Sequence, residues 1–394
     1  MKKYRKLSDV AEIITGKLDS NAAADSGIYP FFTCGAEPLR IHEFAYDMDA
    51  ILLAGNNAQG NFHCQRFKGK FNAYQRTYII TPKFGYNIDY IFYNLKINLS
   101  NFKRLSQGSQ TKFLTIHILD SFLIEDLPFS KQIENTKLLS ILDKKIEINK
   151  QINDNLEKQT KLLYDYWFTQ FDFPDENGNP YKSSGGEMVF NEELKRYIPN
   201  GWSIETLLNN TISRIIKPGV NIFKEKTYFA TADINNKEIS SGNKVLYQNR
   251  ESRANMQPIK SSVWFAKMKN SVKHLFITDN MDFMINEGIL STGFCGLECE
   301  KISFEYISSF ITSPYFEMAK DILSHGATQE AVNNNDLNFI NILIPDRRTL
   351  LNFHKITKPI YEQITENICS NRKLIELRDY LLPLLLNGQV TIED

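Results

Sequence analysis

Four groupings in this 394-residue chain have residue types that could do chemistry. Asn179-Pro180-Tyr181 imitates the Asn/Asp-Pro-Pro-aromatic loop that holds an extruded adenine for methyl transfer. The second proline is missing, and no Gly-rich cofactor loop follows a strand upstream. Pro174-Asp175 followed by Glu193-Leu194-Lys195 offers the carboxylates and lysine of a metal-dependent phosphodiesterase. Such groups must stand on adjacent strands to share a divalent ion, and these lie in a stretch that reads as a linker. His63-Cys64 and Cys295-x3-Cys299 supply soft ligands, but four never assemble at zinc spacing. Buried or surface thiols are the plainer reading. Gly69-Lys70 precedes Phe71 and lacks the earlier Gly of a phosphate-binding loop. These residues point to a chain that binds rather than reacts.

Local charge says what it could bind. Between Ala54 and Lys112 the basic residues include Arg66, Lys68, Lys70, Arg76, Lys103, Arg104 and Lys112, against the single acid Asp89. Asn56, Asn57, Gln59, Gln75, Gln107 and Gln110 are interleaved with them. A second basic run, Lys244–His274, holds Arg253, Lys267, Lys269 and Lys273, with Asn270 among them. Lysine and arginine hold phosphates, whereas Asn, Gln and Arg can pair bidentately with adenine or guanine edges. The competing reading is a pair of solvated faces. Repetition of the pattern in two matched blocks favours nucleic acid.

The elements that must position these residues also come in duplicate. Residues 1–129 are strand-rich, with runs at Tyr29–Thr33, Ala50–Ala54, Thr77–Thr81 and Leu119–Ile124 and a helix at Ile88–Leu99. A helix follows over 130–172, free of Gly and Pro between Lys131 and Phe171. A seven-residue seam fits it through Leu138, Leu142, Lys145, Asn149, Ile152, Leu156, Gln159, Leu163 and Tyr166, with Trp167 beside it. Residues 173–201 are dense in Gly, Pro, Asn and Ser and read as a linker. Residues 202–345 are strand-rich again, with runs at Ser262–Ala266, His274–Thr278 and Ile340–Ile344 and a helix at Tyr306–Leu323. A distal helix, 346–388, carries Ile360, Ile364, Ile368, Leu374 and Leu381, with Pro359 marking a kink or late start. A tail, 389–394, ends the chain. The order is a repeat, echoed in letters by Leu105-Ser106-Gln107-Gly108 and Leu323-Ser324-His325-Gly326. Two such helices favour pairing with each other. The expected class is α+β: two β-rich domains joined by two long coiled-coil helices.

The bulk numbers set the frame. Apolar residues make up 42% and aromatics 12%, enough for two cores, and the formal net charge is zero. An odd count of five irregularly spaced cysteines suits a reducing compartment. The N-terminus has no signal-like apolar core and no apolar run is long enough to span a bilayer, so a cytoplasmic protein without a membrane partner is expected.

At the helix ends the residues resemble a known family. Leu162-Leu163-Tyr164-Asp165-Tyr166-Trp167-Phe168-Thr169-Gln170-Phe171-Asp172-Phe173-Pro174 is similar to the central conserved region of type I restriction–modification specificity subunits. Leu377–Gly388 is similar to their distal region. The loop Gly326-Ala327-Thr328-Gln329-Glu330-Ala331 and its partner Gly108–Phe113 resemble the small-residue/Gln loops before each block's last strand. Val263–Ser271 with Ile289–Phe294, which includes Thr292, resembles one class of recognition domain. Pro359 departs from the usual uninterrupted helix.

The resemblance implies that each β-rich block is a target recognition domain reading one half of a split, asymmetric site in double-stranded DNA. It implies that the helices pair antiparallel in a pseudo-two-fold repeat and set the spacing of the half-sites. Two methyltransferase subunits, using S-adenosylmethionine to methylate adenine N6, and restriction subunits using ATP and Mg would join as partners. No cofactor is expected on this chain. Two alternatives remain: a coiled-coil nucleic-acid-binding scaffold outside restriction, and a fused methyltransferase–specificity enzyme, which the absent cofactor motifs oppose.

Overall fold

The computed structural model describes residues 3–235, 238–239 and 242–390. The end of the expected tail, 391–394, lies outside them. The chain forms two compact units: Met1–Ile146 with Lys373–Asp394, and Glu147–Arg372.

In the first unit β1 (Tyr4–Lys6) is followed by β2 (Ala11–Thr15), β3 (Tyr29–Phe32), β4 (Leu39–Ile41), β5 (Tyr46–Ala54), β6 (Asn56–Asn57), β7 (Cys64–Ala73) and β8 (Thr77–Pro82). Helices α1 (Ile88–Ile97) and α2 (Leu99–Leu105) come next, then β9 (Lys112–Phe113), α3 (Ile116–Asp120) and β10 (Leu123–Glu125). The six-stranded sheet has the order β2-β8-β5-β7-β3-β4. Its centre is β5, whose buried run Ala50–Ala54 suits a strand covered on both faces. The longest strand, β7, is absent from the expected set. Its period-2 alternation is masked by charge: Arg66, Lys68 and Lys70 take one face, Phe67 and Phe71 the other. Two expected elements shift. The helix from Ile88 stops at Ile97 and restarts at Leu99, and the strand expected from Leu119 begins as the end of α3, with Leu119 buried.

The second unit repeats this plan. It contains β11 (Met188–Asn191), β12 (Arg196–Pro199), β13 (Ser203–Thr206), β14 (Ser213–Ile215), β15 (Lys226–Phe229), β16 (Asn243–Val245), β17 (Ala254–Met256), β18 (Ser262–Ala266), β19 (His274–Ile277), β20 (Gly288–Ser291), β21 (Phe294–Cys299) and β22 (Asn341–Ile344). Its sheet β14-β21-β18-β19 has the order of β2-β8-β5-β7, and β13 pairs with β22 as β1 pairs with β10. The expected helix Tyr306–Leu323 is two helices, Phe304–Ile311 and Pro314–Leu323. Pro314 takes the first turn of the second, where its missing N–H costs nothing, and the Ser313 hydroxyl caps it. The outer strands differ between the units. In the first, β3 and β4 extend the sheet, whereas in the second β16-β15-β20-β17 form a separate sheet with β15 and β20 parallel.

The expected linker is ordered. Residues 173–201 contain the hairpin β11–β12, and Phe173 and Ile198 are buried. Their Gly, Asn and Pro residues form turns instead of a tether. Phe173 stacks on Trp202 at 5.1 Å, and Phe168 meets Tyr306 edge-on at 4.6 Å.

The long helices span Phe129–Tyr164, ending in a π turn at Asp165–Thr169, and Arg347–Leu386. Pro359 does not break the second. It lies on the exposed face, where the carbonyl deprived of its donor can meet water. Within the second unit Asn149 donates to Asn371 at 2.8 Å and Asn367 donates to Asn153 at 2.7 Å. Partner numbers fall as the first helix's rise, so the helices run antiparallel. In the first unit Asp143 accepts from Arg378 at 2.7 Å, in the same sense. The seam keeps Leu142, Asn149 and Leu156 of the expected row. The alternate row is one residue later, at Leu139, Ile146, Asn153 and Thr160. Lys145 and Gln159 are exposed and Ile152 is 39% exposed, so these three leave the seam. Leu138 and Leu163 are half-buried flanks. An apolar count misplaces the row because Asn153 and Thr160 occupy it. On the second helix Ile364 is buried, whereas Ile360, Ile368, Leu374 and Leu381 are half-buried.

Candidate nucleic-acid interface

The first unit gathers its polar residues at one end of the sheet. Strand β6 leaves β5 and pairs with β9, Asn56 opposite Phe113 and Asn57 opposite Lys112. The loop between Gln107 and Phe113 is closed by backbone bonds between these two residues, at 3.0 and 2.7 Å. Gly108 has φ +101°, and a Cβ there would meet the Thr111 carbonyl oxygen at 2.0 Å. Only glycine permits that closure. Across the groove stands the β7–β8 turn with Gln75 and Arg76. The Arg76 guanidinium lies over the Phe113 ring, 5.1 Å from its centre, at cation–π distance. Gln110 and Gln107 are exposed on the loop. The Asn56 carbonyl oxygen is buried with no partner among the described residues.

The second unit builds the same loop from different side chains. His325 and Ala331 exchange backbone bonds at 3.2 and 3.1 Å. Gly326 has φ +142°, and a Cβ there would meet the Gln329 carbonyl oxygen at 2.4 Å. Thr328 and Gln329 are exposed at the tip. The β18–β19 turn adjoins the loop: the Lys269 N–H donates to the Glu330 carbonyl at 3.0 Å, and the Lys269 side chain pairs with the Glu330 carboxylate at 2.7 Å. Thr292 is joined to the Arg253 carbonyl at 2.9 Å. The two units thus share a loop frame while Arg76 and Phe113 face the groove in one and Gly293 and Ala331 stand at the matching places in the other, since the Gly55 N–H bonds the Arg76 carbonyl as the Lys267 N–H bonds that of Gly293.

Several candidates have structural duties instead. The Asn57 carbonyl oxygen accepts from the backbone of Gln59 and Asn61, which fixes their turn. Gln75 is tied to Asp19 at 3.3 Å, Arg104 to Asn101, and His325 to Asn333 at 2.8 Å. Lys273 donates to the Thr231 carbonyl at 2.5 Å, and burial pushes its amine down. Lys68 and Lys70 lie along β7, opposite Asp49 and Asp47, and Lys70 sits over the Phe44 ring at 4.7 Å. Lys70 is six residues from Cys64, roughly 20 Å along the strand. Those two lysines are therefore not gathered with the loop. Arg66, counted in the basic run, is paired with Asp49 at 2.8 Å and with Asp89, and the hydrogen bond to Asp49 raises its pKa.

Sequence reading missed these acids because Asp47 and Asp49 fall outside the window that looked basic. It also missed Phe113 and Glu330, whose roles come from cross-strand register. The soft ligands are not poised for metal. Burial pushes the Cys64 and Cys295 thiols up to about 12, away from the thiolate a metal needs. Among the described residues no group of three His, Cys, Asp or Glu could hold an ion. Among them, too, no helix is long and apolar enough to cross a membrane.

Residues 2–158 match the family model described as the type I restriction modification DNA specificity domain. Over 108 residues, 27% of this chain, the sequence is 40% identical to the EcoDI specificity subunit of Escherichia coli, although the match spans only 23% of that protein. It is 25% identical over 352 residues to the MjaIX specificity subunit of Methanocaldococcus jannaschii, covering 80% of this chain and 72% of that one. The crystal structure of a type I restriction–modification S subunit from M. genitalium has the same fold, at TM-score 0.50 and 14% identity over 98% of this chain and 96% of that one. Residues 2–158 carry the type I restriction modification DNA specificity domain, and over most of its length the chain is similar to type I specificity subunits. These matches support a DNA-specificity role and give no support to a scaffold outside restriction.

Proposed function

We propose that this chain selects the DNA site of a type I restriction–modification complex. Each unit reads one half of a bipartite, asymmetric site through its glycine-closed loop and the neighbouring turn. The supporting observation is the pair of matched frames carrying unmatched side chains: a shared scaffold explains shared docking, and unlike residues explain unlike half-sites. In this reading the chain is non-catalytic. Methyltransferase subunits supply S-adenosylmethionine-dependent adenine N6 methylation, and restriction subunits supply ATP- and Mg-dependent cleavage. The long helices enter the spacing of the half-sites, so removing one heptad from each shortens the spacer by a few base pairs and leaves the half-sites unchanged.

Methylome sequencing of a strain carrying the intact system is the test. A split methylated motif is expected, and one replacement in either loop should alter one half only. A continuous motif, or none, would overturn the reading.

A further inference from the structure

Beneath the β18–β19 turn lies a charged cluster that recognition as described so far does not use. Lys320, on the helix Pro314–Leu323, is wholly buried. Its Nζ lies 2.6 Å from one oxygen of Glu317 and donates to the Ser271 carbonyl at 2.9 Å. The other Glu317 oxygen is 2.7 Å from His274 Nε2. Burial alone would raise the Glu317 carboxyl, but hydrogen bonds from His274 and Lys320 bring it below its ordinary value. The next residue, Asp321, accepts from the Asn270 backbone N–H at 3.0 Å. Asn270 has φ +58°, a left-handed conformation that a residue with a Cβ adopts at a cost.

Burying such groups is unfavourable unless every one is paired; Lys320 and Glu317 pair within the helix, and the bonds that leave it all end on the turn or on the strand leaving it. Lys320 and Asp321 hold consecutive residues, Ser271 and Asn270, from behind. From the side, Glu330 holds Lys269. The turn so fixed leaves Asn270 exposed beside Lys269, whose backbone and side chain both bind Glu330, the residue after the Thr328-Gln329 tip. Base-edge hydrogen bonds discriminate only when donors are held in register.

We propose that Lys320 and Asp321 are positioning residues for DNA reading by the second unit. They set the geometry of the Lys269-Asn270 turn and so the sequence discrimination at one half-site, without touching DNA. This rests on the recognition function proposed above.

The test uses the complex with its methyltransferase subunits and a duplex library randomised in each half-site in turn. The parent complex must first show a split preference; its absence would overturn the recognition reading, not this one. Asp321→Ala removes the acceptor at a partly exposed site, Asp321→Asn retains it, and Lys320→Met removes the buried donor at similar volume. Discrimination between the preferred base and its alternatives at one half-site should fall roughly tenfold in Asp321→Ala and Lys320→Met. The other half-site should be unchanged, Asp321→Asn should stay near the parent, and the salt dependence of binding should hold. A purely structural role would lower the melting temperature and leave base preference intact. Unchanged discrimination in Asp321→Ala, or equal loss at both half-sites, overturns the proposal. Should Lys320→Met fail to fold, the Asp321 pair decides alone.

Discussion

The amide pair Asn149–Asn371 should behave differently when one partner is removed and when both are. Asn149 is 1% exposed and Asn371 9%, and the bond joining them is 2.8 Å long. The Asn149 carbonyl oxygen is already buried without a partner among the described residues. Asn371→Ala removes the acceptor and strands the Asn149 amide, at a cost of about 1–3 kcal/mol. For a unit of this size that is a fall of roughly 5 °C in melting temperature. Asn149→Leu with Asn371→Leu removes the stranded oxygen as well and adds apolar surface to a seam already lined by Leu156 and Ile364. It should restore or exceed the parent's stability. Calorimetric melts of the parent, both single leucine variants and the double variant form a cycle in which the coupling should be about 1–3 kcal/mol. Coupling below about 0.5 kcal/mol, the scatter of independent sites, would refute the argument. The cost of keeping such a pair suggests a gain in register, since a polar residue in a seam disfavours shifted pairings.

Other perturbations separate roles that look alike in sequence. Lys112→Gln, in the loop frame, should weaken binding to all DNA and reduce the salt slope by about one, whereas Arg66→Gln, which removes the partner of Asp49 and Asp89, should chiefly lower stability; binding titrations over a salt series compare them. Gly108→Ala forces a Cβ onto the Thr111 carbonyl and should disturb one half-site, read by the methylated motif, with the other intact. Glu305 is 3% exposed, and burial raises its carboxyl above 4.5, although the hydrogen bond with His354 opposes this. A raised acid favours the folded state below its unfolded pKa and loses that contribution as pH rises through the native value. Glu305→Gln should therefore gain stability relative to the parent between pH 4 and pH 8, as denaturant midpoints at both pH values would show; an unchanged difference sinks the assignment.

Much of this plan was legible in the letters. The duplicated Leu-Ser-x-Gly segments do close equivalent loops, and the Leu/Ile periodicity locates both long helices. What escaped was set by partners distant in sequence. Arg66 and Lys70 look like free cations until the fold pairs Arg66 with Asp49 and Asp89 and sets Asp47 opposite Lys70. The seam row through Asn153 and Thr160 hides from an apolar count because its polarity is satisfied by Asn367 and by the helix's own carbonyls. Residues 173–201 have a linker's composition, yet Phe173 and Ile198 tie them into a core. Gln107 and Arg76 were nameable as polar and basic, but their shared groove follows from Phe113 lying between them.

The two units also differ in how the chain supplies them. The second is one continuous segment, Glu147–Arg372, whereas the first needs Lys373–Asp394 to complete it. Leu382, Leu385 and Leu386 pack into the core that contains Leu7, Leu119 and Leu139. During synthesis the first unit must wait, with that apolar patch uncovered, until more than two hundred residues have followed it from the ribosome. The second can close on its own segment before then. Contacts of such long sequence separation form slowly and leave surface open to aggregation. Folding of the first unit is therefore the step at which chaperones, slower translation or a waiting partner subunit would most change the yield of active protein.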